Sequence, residues 1–435
     1  MLPRLNRNPG AGTFPVLLLA LLATLPGPRL LRAAAADVRS APAASASSAL
    51  PTRQEIDGIL QELSSVTGFR IHKELPFQSI TREQVNDYLK EQIRESVKPD
   101  DIAAEEATLK KFGFVPPDFD LKQSTIDLLT EQAAAFYDYH RRKLFISDWA
   151  TENMRDVALI HELAHALADQ NFSIRKFLGK NSDNDETSLA RQAVVEGQAS
   201  WLMVEVAARR AGRTLANPAD AREFLETAEG SGEAYPVFDN APLYIRRTLL
   251  FPYENGERFQ QAVFLHDGES GLTRVFRQPP VSSSQILHPE RYFDSIAPTD
   301  PSLPKPVKGA KEWIVGSLSE LETGILLEQY GSADLAADLA PKLKGANYRL
   351  DQSRPDAKSH DKRTMLTLAS EWDNAADAAR FFDAYRKVLR TKWKSVDANS
   401  DTDTRFAGKS DDGFFTLTLD GVKVLSREGF AQLPE

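Results

Sequence analysis

The chain has 435 residues, 42% hydrophobic and 26% charged, the ordinary range of a folded soluble protein and enough length for two or three domains. A net charge of −9 leaves no dominating basic surface and argues against nucleic acid as a partner. Cysteine is absent, which excludes disulfides, a lipid-modified N-terminal cysteine and thiolate metal ligands, so a transition-metal site would have to use histidine and carboxylate.

At the N-terminus Arg4 and Arg7 precede FPVLLLALLATL (Phe14 to Leu25), and the small-residue stretch RAAAADVRS follows. That layout predicts a secretory signal over residues 1–36, removed from a secreted or periplasmic protein. Its apolar core is shorter than the roughly 20 residues of a membrane span, and no other stretch is long and apolar enough, so no transmembrane segment is expected after cleavage. An uncleaved anchor is the alternative. RSAPAASASSALPTR reads as a flexible linker over 37–54.

From Glu55 to Asp118 the pattern is mostly helical, with a capping box predicted from Thr81 and Gln84 at the head of TREQVNDYLKEQI. GFRIHKELPF (Gly68 to Phe77) has the composition of a strand. Two β-rich runs flank YHRR and predict a hairpin near 134–149. A helix capped by Ser147 or Asp148 then runs to about Gln170, and the polar loop GKNSDNDE leads to a second long helix from Thr187 to about Arg210. Pro-containing, aromatic-rich segments fill 235–300, and PTDPSLPKPVKG reads as a linker near 298–309. The remaining 310–435 region is expected to be α+β, with a helix at NAADAARFFDAYRKVLR and strands FFTLTLD and VKVLS joined through Gly421. The whole predicts an α+β fold, helix-rich overall, whose 55–300 domain packs a small sheet on two buried helices.

The first of those helices carries HELAH. Residues four apart share one helical face, so His161 and His165 can bind one ion while Glu162, offset beside them, faces its water. Val157, Ala158, Leu159, Ile160, Leu163, Ala164, Ala166, Leu167 and Ala168 surround them, so a solvated face is a poor explanation. Burying two imidazoles and a carboxylate without partners costs several kcal/mol, which a metal or a dense polar network removes. A third ligand is then needed, and Glu196, a lone acid in AVVEGQASWLMV, is the candidate. Gly197 beside it permits close backbone approach. An ion pair with Arg191 is the competing account of Glu196, and Glu205 is a weaker alternative ligand. With one Zn²⁺ per chain on His161, His165 and Glu196, a water acidified by the metal would attack a carbonyl, Glu162 taking its proton and handing it to the leaving amine. His288, Tyr292 and Tyr253 are candidates for stabilising the oxyanion, each with the alternative that an aromatic near a proline simply packs.

HELAH followed by EGQA resembles the Glu-zincin metallopeptidases, in which a downstream helical glutamate completes a two-histidine site. The chain is similar, more narrowly, to a group of secreted bacterial proteins with peptidase-like HExxH domains. Their ordered motifs match AFYDY, HELAHALADQNF, EGQA, FPYENG and SSSQILHPERY here, covering roughly 55–300. The resemblance implies a zincin-like fold, zinc on His161, His165 and Glu196, Glu162 as acid/base, a peptide or protein substrate, and ILHPERY lining the site. Two departures stand out: Gln198 replaces an acid common after the Glu-Gly pair, and Asn171 replaces a histidine often found after Asp-Gln. The expected function is a secreted zinc metallopeptidase. The alternatives are a non-catalytic binding or assembly protein that keeps a structural zinc site, or a zinc hydrolase of non-peptide amides.

Overall fold

A computed structural model describes residues 50–434 apart from 97, 133, 151, 180–184, 229–234 and 355–361. The expected signal segment, residues 37–49 of the 37–54 linker and the middle of the GKNSDNDE loop lie outside the described residues. The fold is α+β. In chain order, α1 (Arg53–Thr67), β1 (Phe77–Ile80), α2 (Arg82–Ser96), α3 (Pro99–Phe112) and α4 (Leu121–Gln132) come first. The hairpin β2 (Ala135–Asp138) and β3 (Lys143–Ser147) follows, then α5 (Glu152–Phe172), α6 (Ile174–Gly179), α7 (Asp185–Arg210) and α8 (Pro218–Ala228). Next are α9 (Pro236–Asp239), α10 (Leu243–Asp267), α11 (Glu269–Arg277), α12 (Ser283–Leu287) and α13 (Pro289–Phe293). The C-terminal part contains β4 (Lys311–Ser317), α14 (Glu320–Tyr330), α15 (Ala333–Leu339), β5 (Leu343–Gln352), β6 (Thr364–Trp372), α16 (Ala375–Lys392), β7 (Val396–Asp401), β8 (Arg405–Ser410), β9 (Gly413–Asp420) and β10 (Lys423–Phe430).

The small sheet has the order β1-β3-β2, with β1 parallel and β2 antiparallel to β3, and β2 and β3 pack on α5. Its strand does not fall where composition placed one. Over 68–76 the backbone is irregular because side chains at the end of α5 take its amides: Asn171 accepts from Arg70 N–H and Gln170 from His72 and Lys73 N–H. Pairing begins only at Phe77. Helix α1 likewise starts inside the expected linker, at Arg53, because Thr52 and Glu55 form a reciprocal cap. The Thr81–Gln84 pair makes the same reciprocal bonds at the head of α2.

The long helix α10 crosses a segment that looks irregular in sequence, with Pro252 inside it. A mid-helix proline costs about 3 kcal/mol, so packing must offset it. It does so against α7, where Gly197 and Gly256 touch: a Cβ on Gly197 would lie 2.1 Å from the carbonyl carbon of Gly256. The glycine step sets these two helices backbone to backbone and fixes which residues of each face one another.

The C-terminal strands form one seven-stranded antiparallel sheet, β4-β5-β6-β10-β9-β8-β7, with α16 packed on β6, β9 and β10. A single apolar cluster runs from Phe112, Phe114 and Tyr244 to Tyr348, Leu350 and Phe381, so the 310–435 region shares its core with the helical part. The 298–309 segment is not a free tether. Asn347 binds Asp300 and the Pro301 carbonyl, and Arg349 donates to the Pro304 carbonyl, which lays the segment against β5. A second apolar cluster surrounds α5, α7 and α10, including Leu163, Leu167, Val194, Trp201, Phe251 and Phe259.

Candidate metal centre

The helical spacing places His161 and His165 on the face of α5 that meets α7, and Glu196 meets them from the middle of α7. His161 Nε2 lies 3.0 Å from His165 Nε2, and each is 3.2 Å from the same oxygen, Glu196 Oε2. Among the described residues these three form a buried group able to hold a metal ion. Charge-assisted N–H···O⁻ hydrogen bonds run at about 2.7–2.9 Å, shorter than the two contacts to Glu196. Edges of 3.0–3.2 Å between donor atoms are what an ion with bonds of about 2 Å imposes on its ligands. The donor set and its spacing therefore fit a zinc-type cation.

His161, Glu162 and Glu196 are 0% exposed and His165 is 2% exposed. Burial pulls the His161 imidazole down to about 4, against the pull of Glu196. Burial also works against charge on His165, but Glu196 and Glu162 outweigh it and raise that group above its ordinary value. On Glu196 burial pushes upward, yet the two imidazoles hold the carboxyl below its ordinary value. Glu162 is pushed up to about 8 by burial. Its Oε2 accepts from Tyr137 N–H at 2.7 Å, while Oε1 is buried without a hydrogen-bond partner beside the three ligand candidates. An unsatisfied buried carboxylate oxygen is expensive unless something meets it there.

Tyr253 reaches the same place through the Gly197–Gly256 contact. Its ring lies 6.0 Å from that of His161 at a shallow angle of 30°. Burial, then the Glu196 and Glu162 charges, keep its phenol protonated, and the hydroxyl hydrogen-bonds to Glu196. The other two aromatic candidates make their contacts elsewhere. His288 Nε2 is 2.7 Å from Glu320 Oε1, an oxygen pair also held by Arg291. The Tyr292 hydroxyl donates to the Gln278 carbonyl, with its ring edge-on to Phe259. SSSQILHPERY thus ties α12 and α13 to α14 and to the start of α7, where Ser283 N–H donates to Glu186. Arg191 donates to the Phe177 carbonyl, and Glu205 accepts from Arg209, Thr214 and Leu215 N–H at the end of α7. Gln198 turns toward α10 and α11, bonding Gln260 and the Leu272 carbonyl, so it does not support an imidazole. Asn171 bridges α5 to the irregular 68–76 segment.

Two groups around the site carry no motif letter. The backbone amide of Tyr137, on the edge strand β2, holds Glu162. The Tyr137 hydroxyl in turn donates to Asp169, one helical turn beyond His165, which also caps Ile174 N–H. Asp169 was findable as the next residue on the His161–His165 face; an amide is not.

A family model described as a domain of unknown function (DUF8575) matches residues 346–433, spanning β5 to β10 and none of the metal centre. No curated protein and no solved structure gives a significant match to the chain. No described helix is long and apolar enough to cross a membrane.

Proposed function

We propose that this chain is a zinc-dependent metallopeptidase of zincin-like build, exported by its N-terminal signal, with the metal held by His161, His165 and Glu196. One observation carries the reading: three donor atoms 3.0–3.2 Å apart converge beside a carboxylate with one unpartnered oxygen. Bound there, zinc would supply Lewis acidity, lowering the pKa of water and polarising a substrate carbonyl.

The chain supplies the rest. With Oε2 anchored on Tyr137 N–H, Glu162 presents Oε1 to take a proton from the attacking water and return it to the amine nitrogen as the C–N bond breaks. The Tyr253 hydroxyl holds Glu196 in the orientation that ligation needs, a positioning role.

A second reading is favoured by the burial itself. Four residues at 0–2% exposure describe a closed site as well as a catalytic one, and a closed site suits a binding protein stabilised by structural zinc. The test is to quantify metal in the purified mature chain and in Glu162→Gln, then assay both on a mixed peptide library. One zinc per chain in both, with turnover at least 10²-fold lower in the variant, is expected. Metal in both and turnover in neither favours structural zinc; metal in neither overturns the site.

A further inference from the structure

A depression of about 780 Å³ opens where the β2–β3 turn meets the chain leaving α5, lined by Tyr139, His140, Arg142, Ser173, Arg175 and Lys176. No acidic side chain lines it, on a protein whose net charge is −9. Arg142, Arg175 and Lys176 are exposed, and the guanidinium of Arg142 lies 3.6 Å from Asp169. Its backbone is unusual as well. Among the described residues three non-glycines have positive φ, and two of them, Arg142 at 50° and Ser173 at 55°, line this depression. Such conformations are costly and concentrate where a surface must take a particular shape.

The depression lies close to the metal centre by two routes. Along α5, Asp169 is four residues past His165, about 6 Å at 1.5 Å per residue. Along β2, Tyr139 is two residues past Tyr137, about 7 Å in extended chain, and Tyr137 N–H holds Glu162. Tyr139 stands between, 9% exposed, near enough to feel the Glu196 charge on one side and Arg175 on the other. About two residues of extended peptide span such a distance.

We propose that this basic depression is a specificity subsite that receives a peptide carboxylate, from an acidic side chain or a C-terminus, about two residues from the bond held at the metal centre. The proposal rests on the peptidase reading for its register but not for its binding chemistry. The guanidinium of Arg175 and the ammonium of Lys176 are the carboxylate's partners, since Arg142 already serves Asp169.

The probe is a fluorescein-labelled heptapeptide ending Ala-Ala-Glu-Glu and its Gln-Gln counterpart, each as free acid and as C-terminal amide. Binding is read by anisotropy on full-length Glu162→Gln, with and without Arg175→Gln and Lys176→Gln. The glutamate peptide is expected to bind on the order of tenfold more tightly at low salt, the effect of one charge-assisted contact. That preference should shrink as salt rises and vanish in the double substitution, while Arg175→Lys with Lys176→Arg retains it. A preference that follows the glutamates in both terminal forms identifies the side chain as ligand, whereas tighter binding of the free acids than of the amides, alike for glutamate and glutamine, identifies the C-terminus. Equal binding of all four peptides, no binding of any, or a preference that survives the double substitution overturns the subsite. Wild-type cleavage of the same peptides separates the two readings. Equal kcat/KM for all members removes the subsite and leaves the peptidase, whereas Arg175-dependent binding without cleavage leaves the subsite and removes the peptidase.

Discussion

Two of the three glutamates buried on helix α7 are held in opposite ways. Glu196, in its middle, meets two imidazoles and a tyrosine hydroxyl, and the imidazoles hold its carboxyl below the ordinary value despite complete burial. Glu186, at its start, accepts Ser283 N–H at 2.7 Å and has Glu322 and Glu320 nearby, so burial pushes it up to about 8. One helix and one residue type thus give a site built to carry negative charge and a site built to carry a proton. What separates them is the partner: basic ring nitrogens can share charge, whereas an amide and two further acids cannot. Only the first surroundings suit a metal.

The largest expected effect breaks the first site without touching its ligands. Gly197→Ala puts a Cβ 2.1 Å from the Gly256 carbonyl carbon and 2.4 Å from its oxygen, so the α7 and α10 backbones must part. Overpacking against backbone costs about 3 kcal/mol or more, and it moves Glu196 and Tyr253 away from α5. Thermal unfolding and metal content should both fall, and an unchanged Tm would show that the helices separate freely. Chelation comes next in size. At a metal concentration a hundredfold above Kd, binding contributes about 2.7 kcal/mol, so stripping the wild type should lower its Tm. His161→Ala, already without a site, should show no further loss on chelation.

The two sites were unequally legible. His161, His165 and Glu196 stand out in sequence because each is polar within a largely apolar helix, and their spacing carries the geometry. Glu186 sits at a polar loop and gives no such contrast, since its partner is the backbone amide of Ser283, 97 residues away. The same limit hid Tyr137, which acts on Glu162 through its amide. Among elements, α7, α16 and the hairpin follow local pattern closely, whereas α5 starts at Glu152 and not after a Ser147 or Asp148 cap, because Ser147 closes β3 against Ile80. Helix α10 does not follow the pattern, because Pro252 and Gly256 both signal interruption and only the contact with Gly197 explains them. Strand β5 escaped notice because it is covered on both sides. Tyr348, Arg349, Leu350 and Asp351 are all buried in succession, with Arg349 and Asp351 paired, so the alternation that marks a half-buried strand is lost.

Tyr253→Phe sharpens the comparison at smaller cost. It removes the hydroxyl that orients Glu196 and keeps the ring beside His161. Loss of a group supporting a ligand lowers metal affinity about 10–100-fold, measurable by competition with a chromophoric chelator. A variant with unchanged affinity would mean the imidazoles alone fix Glu196.

The smallest effect tests the second site through pH. Glu186 has a folded-state value of about 8 against an ordinary 4.5, so between those values the folded protein holds a proton that the unfolded chain releases. Stability from this group is therefore complete below pH 4.5 and is lost as pH rises through 8, with a slope of at most about 1.4 kcal/mol per pH unit. Glu186→Gln keeps an oxygen for Ser283 N–H and removes the titration. Urea unfolding at pH 5.5, 7 and 8.5 should show the wild type losing stability relative to the variant at each step. A wild type that gains on the variant as pH rises would mean that Glu186 is ionised and paired, and that Glu186 and Glu196 bury charge in the same way.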